Sequence, residues 1–129
     1  MAKILIIDDE PGVLHVLREI LESVGHSVTE AQDGEAALRE FEGKPADLVV
    51  TDIFMPGMDG IELMVNIRKT LPDARVLAMS GGGLLSRDQA LSDAVLLGAD
   101  HILEKPFSKD EVLEAVNRTL PPGKEEDRK

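Results

Sequence analysis

Short, almost unbroken apolar runs recur along this chain, each bounded by turn residues and each followed by a longer stretch with helical spacing. The runs are Ile4 to Ile7, a weaker one around Val28, Leu48 to Thr51, Val76 to Met79, and Ile102 with Leu103. Such alternation is the pattern of a parallel sheet with crossover helices, and near-continuous apolar character suits strands covered on both faces. The expected fold is α/β: a doubly wound, five-stranded parallel sheet with helices on both faces, for which 2-1-3-4-5 is a common strand order.

The helical stretches carry their own boundaries. Val13, Leu14, Leu17, Ile20, Leu21 and Val24 recur at three- and four-residue spacing, with Pro11 suited to the first turn and Gly25 to the end. Ala37, Leu38 and Phe41 mark a second helix capped by Asp33, and Ile61, Met64, Ile67 and Leu71 mark a third. Capping boxes are expected at Asp59 with Glu62, Ser86 with Gln89, and Ser108 with Glu111. The last opens a helix with Val112, Leu113, Val116 and Leu120 inward, stopped by Pro121-Pro122-Gly123. One domain over residues 1–121 and a charged, frayed tail over 122–129 follow from this reading.

Composition narrows the chemistry. With no Cys, Trp or Tyr in 129 residues, disulfides and thiolate metal sites are excluded, and the core must be Ile, Leu, Val, Ala and Met. Fourteen basic against 25 acidic residues give a net charge of −11, with no basic cluster to hold nucleic acid. The start lacks the apolar stretch of about 7–15 residues that marks a secretory signal, and no run approaches the ~20 residues of a membrane span. A cytoplasmic protein without membrane contact is expected.

In a doubly wound sheet, ligands bind beyond the carboxyl ends of the strands. The first strand stops at Asp8-Asp9-Glu10 and the third at Asp52. If those strands are neighbours, Asp8, Asp9 and Asp52 converge, since adjacent strands lie about 4.8 Å apart. Three carboxylates that close repel one another unless a cation sits among them, and an oxygen-only set suits Mg2+. Acids at these positions can also simply cap the following helix; Glu10 is read that way, while Asp8 and Asp9 alone admit either role. The fifth strand delivers Lys105 to the same edge, where it can pair with a carboxylate or a phosphoryl oxygen, and Pro106 permits a cis bond that would aim it inward. The fourth strand contributes the Ser80 hydroxyl.

These residues resemble the receiver domain of two-component response regulators, from Lys3 to about Leu120. The matching pieces are Asp8-Asp9, the run Asp52-Ile53-Phe54-Met55-Pro56-Gly57-Met58-Asp59-Gly60, Ser80, Gly98-Ala99-Asp100 and Lys105-Pro106-Phe107. Singly each is weak; in this order they are specific. The resemblance implies a flavodoxin-like receiver fold with a cis Lys105-Pro106 bond. It implies that Asp52 accepts a phosphoryl group from a phosphohistidine, and that Asp8, Asp9, Asp52 and the Phe54 carbonyl bind Mg2+. Ser80 would bond the phosphoryl group and Lys105 would pair with it. The chain would catalyse only its own phosphorylation and dephosphorylation. Its partners would be a sensor histidine kinase or histidine phosphotransfer domain and an unknown downstream protein, with the face around the fourth helix, fifth strand and fifth helix as docking surface.

Two departures bear on the switch, for which Ser80, Ile102 and Pro106 are the candidate residues. Where many receivers carry a mobile aromatic residue, this chain has Ile102. The loop Ser80-Gly81-Gly82-Gly83-Leu84-Leu85 is glycine-rich, and is either a mobile element closing on the site or an inert insertion. Phe54 and Gly82 flank the site and are candidates for setting the phosphoryl lifetime. The leading reading is a single-domain regulator or phosphorelay carrier; the alternative is the N-terminal receiver of a DNA-binding transcription regulator. A haloacid dehalogenase-type phosphatase is disfavoured by Phe54, where that family has a second Asp. A dinucleotide fold lacks its glycine fingerprint. The three histidines, His15, His26 and His101, are expected at surfaces or element ends, without catalytic roles.

Overall fold

The structure, a computed structural model, describes residues 2–81 and 98–123. The elements run β1 (Lys3–Ile7), α1 (Pro11–Ser23), β2 (Ser27–Ala31), α2 (Gly34–Gly43), β3 (Leu48–Asp52), α3 (Gly60–Thr70), β4 (Val76–Ser80), β5 (His101–Glu104) and α4 (Lys109–Thr119). All five strands pair in parallel in the order β2-β1-β3-β4-β5. The helix and capping box expected at Ser86 and Gln89, the loop residues Gly82 to Leu85 and the tail 124–129 lie outside the described residues.

Strand pleating sorts the apolar runs onto two cores. Leu5, Ile7, Val49, Val76 and Ala78 face one side, where Ala37 and Phe41 of α2 and Leu63, Met64 and Ile67 of α3 cover them; the fully buried Phe41 corrects the expectation of a purely aliphatic and Met core. Ile4, Ile6, Leu48, Val50, Leu77, Met79 and Leu103 face the other, beneath Leu14, Leu17 and Leu21 of α1 and Val112 and Val116 of α4. Alternate residues point to opposite faces, so each unbroken run fills both layers.

Local signals act largely as expected. Pro11 opens α1, Asp33 accepts from Ala36 N, and Ser108 with Glu111 forms a complete capping box. At α3, Asp59 accepts from Glu62 N at 2.8 Å, which is half of the expected box. Gly25 follows the end of α1 with φ +92°, a conformation glycine adopts without steric cost. Leu71 is a correction: the helix ends at Thr70 and Leu71 is 38% exposed, while Leu63 takes the inward place beside Met64 and Ile67. His15 and His101 are exposed, and His26, at the entry to β2, is buried with Nδ1 accepting the Ala2 amide at 3.0 Å.

The same topology brings the strand-end candidates to one edge, while Ile102 lies within β5. In register, Ile7 faces Thr51, Asp52 faces Met79 and Ser80 faces Glu104. Asp8, Asp52, Ser80 and Lys105 therefore leave the carboxyl edge from β1, β3, β4 and β5, four strands that adjoin in that order.

Candidate phosphoacceptor and cation site

Asp8 has no exposed surface, and a buried carboxylate requires partners. Its Oδ1 accepts from the Glu10 amide at 2.9 Å, and its Oδ2 accepts from Lys105 Nζ at 2.6 Å. The same ammonium donates to Asp52 Oδ2 at 3.3 Å. Lys105 thus bridges two strand-end acids 44 residues apart in sequence, the convergence expected from β1 lying beside β3.

The lysine is aimed by its backbone. Its amide donates to the Ser80 carbonyl at 2.7 Å, continuing the β4–β5 ladder past Glu104, and the Lys105-Pro106 bond is cis. Ser80 itself is 3% exposed at the last position of β4. Ile102, one of the three expected switch residues, is half-buried against the core beneath α2 and α3, whereas Pro106 is exposed.

Titration follows from these contacts. Burial pushes the Asp52 carboxyl above its ordinary value, the Lys105 ammonium pulls it back, and the charge of Asp8 adds to the rise. Burial alone would lower Lys105; its hydrogen bond to Asp8 and the charges of Asp52 and Asp8 outweigh that and leave it raised. The result is an ionised lysine held between carboxylates.

The acids are arranged differently from expectation in one respect. The carboxylates that come within 4.8 Å of one another are those of Asp8, Asp9 and Glu10, and Asp52 joins them through Lys105. Glu10 is the N-cap residue of α1, at the dipole end expected for it, although its side chain makes no capping bond. Asp9, Glu10, Asp52, Phe54, Lys105 and Pro106 line a single open cleft of about 670 Å3. Three carboxylates against one ammonium leave that cleft negative. Hard oxygen donors and room for water fit Mg2+.

Two features were not recognised from the sequence as parts of this architecture. Gly60 packs against the strand bearing Asp52: a Cβ there would overlap the Asp52 carbonyl oxygen and stand 2.9 Å from Ile53 Cα. Arg68 of α3 donates to the Ala74 carbonyl, the Gly98 carbonyl and Asp100 Oδ2, the last at 3.0 Å, while Asp100 Oδ2 also accepts Val76 N at 2.8 Å. Gly60 sits directly after the Asp59 cap, a position that could have signalled a close approach. Arg68 finds Gly98 and Asp100 30 and 32 residues away, and no local spacing announces that.

Comparison with known proteins agrees with this geometry. The chain is 37% identical over 119 residues to the chemotaxis protein CheY of Bacillus subtilis, covering 92% of this chain and 97% of CheY. It is 35% identical to the nitrogen assimilation regulatory protein NtrX of Azorhizobium caulinodans, spanning 26% of that longer protein and 91% of itself. The crystal structure of Vibrio cholerae CheY4 superposes with a TM-score of 0.83 at 27% identity, covering 93% of this chain and 99% of that one. Residues 4–117 match the family described as the response regulator receiver domain. With the sheet order, the acid cluster and the lysine all in place at one edge, the chain belongs to the receiver domains of two-component response regulators.

Proposed function

We propose that Asp52 accepts a phosphoryl group from a phosphohistidine of a sensor histidine kinase or histidine phosphotransfer domain, and that the modified domain signals to a downstream protein. The observation that carries this reading is the pair of bonds from Lys105 Nζ to Asp8 and Asp52. They place a fixed positive charge beside a carboxylate that lines an open cleft.

An Asp52 oxygen would attack phosphorus while the P–N bond to the donor imidazole breaks; its electron pair stays on the nitrogen, which takes up a proton. No general base is required, because an ionised carboxylate is already the nucleophile. Lys105 would neutralise charge on the equatorial oxygens, and Ser80, at the end of β4, would donate its hydroxyl to the phosphoryl group. Asp8, Asp9, Asp52 and the Phe54 carbonyl would hold Mg2+. When bound, the ion supplies further neutralisation of the transferring group's charge.

The domain would turn over no outside substrate, catalysing only its own phosphorylation and dephosphorylation. Ser80, Ile102 and Pro106 are the proposed switch residues. Near-complete coverage of CheY favours a single-domain regulator or phosphorelay carrier. The match to one quarter of NtrX favours the second reading, a receiver joined to further domains; an open reading frame continuing past Lys129 would select it. A cytoplasmic location and no nucleic-acid or membrane partner are proposed from the charge of −11; among the described residues no helix is long and apolar enough to cross a membrane. The test is transfer from a histidine-phosphorylated phosphotransfer domain. Label should reach the wild type and not Asp52→Asn, and equal labelling of both would overturn the assignment.

A further inference from the structure

Thr51 is 1% exposed at the next-to-last position of β3, directly after the fully buried Val49 and Val50. A hydroxyl taken from water into such a place needs a hydrogen-bond partner, whereas valine would fill the space without that need. Thr51 Oγ1 donates to the carbonyl oxygen of Asp52 at 3.0 Å. That carbonyl belongs to the peptide joining Asp52 to Ile53, whose N–H donates to the Met79 carbonyl of β4, also at 3.0 Å. A peptide unit is planar, so holding its acceptor on one side and its donor on the other fixes its orientation. The β1–β3 register ends at Ile7 and Thr51, one residue before Asp52, so the hydroxyl acts where pairing with β1 has stopped. The Gly60 amide then holds the next carbonyl, that of Ile53, at 2.9 Å.

We propose that Thr51 is a positioning residue for phosphoryl transfer, its hydroxyl setting the peptide plane that carries Asp52 at one end and leads to Phe54 at the other. Two parts of the site depend on that plane. The Asp52 carboxylate branches from the Cα at its near end, and the Phe54 carbonyl, a proposed cation ligand, follows two residues on. The Phe54 amide, which favours the ionised form of the Asp52 carboxyl, moves with the same backbone. A nucleophile and a cation ligand that tilt apart lose the alignment on which the transfer depends. Met79 and Gly60 contribute their bonds from backbone atoms, which nearly any residue would supply; Thr51 contributes a side chain, so this part of the alignment is a property of residue 51. The inference rests on the proposed phosphorylation of Asp52, and the experiment separates the two.

Wild type, Thr51→Val and Thr51→Ser are each given phosphoramidate and Mg2+ at fixed concentrations, and uptake of the phosphoryl group is followed by intact-protein mass spectrometry. Thr51→Val keeps the shape and removes the hydroxyl. It should be phosphorylated about two- to tenfold more slowly than wild type, the range of a single hydrogen bond. Thr51→Ser keeps the hydroxyl and should recover most of that loss, a rescue that packing alone would not give because serine fills the space less well than valine. A folded Thr51→Val that reacts as fast as wild type, or a Thr51→Ser as slow as Thr51→Val, overturns the inference and leaves Asp52 as the acceptor. If the wild type takes up no phosphoryl group, or takes it up on another residue, the proposed function falls and the inference with it. Should Thr51→Val not fold, Thr51→Ser and Thr51→Ala, which differ by the hydroxyl alone, decide the matter: a faster serine variant supports the inference and equal rates overturn it.

Discussion

The backbone of Gly60 runs so close to Asp52 that the carbonyl oxygen of Asp52 occupies the place a Cβ would take. The Gly60 amide also donates to Ile53 O at 2.9 Å, so the first residue of α3 is pinned to the residue after Asp52. The clashing atoms are backbone and cannot rotate away. Gly60→Ala is expected to cost about 2–3 kcal/mol, an overpacking penalty, and to lower phosphorylation of Asp52. Gly12, in the first turn of α1 with nothing near its Cβ direction, provides the contrast. Gly12→Ala should gain about 0.5 kcal/mol. Urea midpoints of the two variants check the pair.

Lys105 neutralises a carboxylate with no access to water. Removing one partner of a buried ion pair leaves the other uncompensated, so Lys105→Met should lose about 3–5 kcal/mol in metal-free buffer. The lysine also sets an alkaline limit. Its folded value is raised, so its contribution is complete below the ordinary value of 10.5 and is lost as pH rises through the folded value. Thermal melts of the wild type should hold level up to about pH 10 and fall above it, and Lys105→Met should lack that step.

Asp52 has the opposite sign. Its folded value is raised by burial, so ionisation opposes folding: the penalty is absent below the ordinary value of 3.8 and grows as pH rises through the folded value. Asp52→Asn carries no such penalty. It is expected to match the wild type near pH 3.5 and to melt at a higher temperature than the wild type at pH 7. Melting curves at the two pH values check this, and a variant less stable than wild type at pH 7 would contradict it.

Arg68 ties the end of α3 to the chain entering β5, through the Gly98 carbonyl and the carboxylate of Asp100, which in turn holds the first amide of β4. A planar guanidinium reaches these acceptors together, and a lysine cannot. Arg68→Ala and Arg68→Lys should therefore both lose about 1.5–3 kcal/mol, as expected for hydrogen bonds to charged groups. Faster amide exchange at Val76 and Asp100 would locate the loss, and full rescue by lysine would count against it.

What was legible in the sequence is what a short window carries. Strand runs that fill both sheet faces, the Asp33 and Ser108 caps, and acids standing at the ends of Ile4–Ile7 and Leu48–Thr51 all declare themselves within ten residues. The site then follows from one topological fact, β1 beside β3, which the common sheet order supplies. Choices that depend on tertiary partners were not legible. Ile61, Met64, Ile67 and Leu71 fit a helical stripe as well as the actual Leu63, Met64 and Ile67, because three- and four-residue spacings admit both. Glu10 at a helix start suits a cap or an acid cluster equally by type, and only the fold shows its carboxylate beside Asp8 and Asp9. Which acid Lys105 holds more closely is a matter of tenths of an ångström, beyond any sequence pattern.

The most direct test of the account is where a phosphoryl group goes when the protein meets a small donor with a P–N bond. Incubation with phosphoramidate and Mg2+, followed by mass spectrometric mapping, should place a single phosphoryl group on Asp52, with incorporation abolished by a chelator or by Asp52→Asn. Phosphoryl found on another residue, or incorporated at the same rate without a divalent cation, would contradict it.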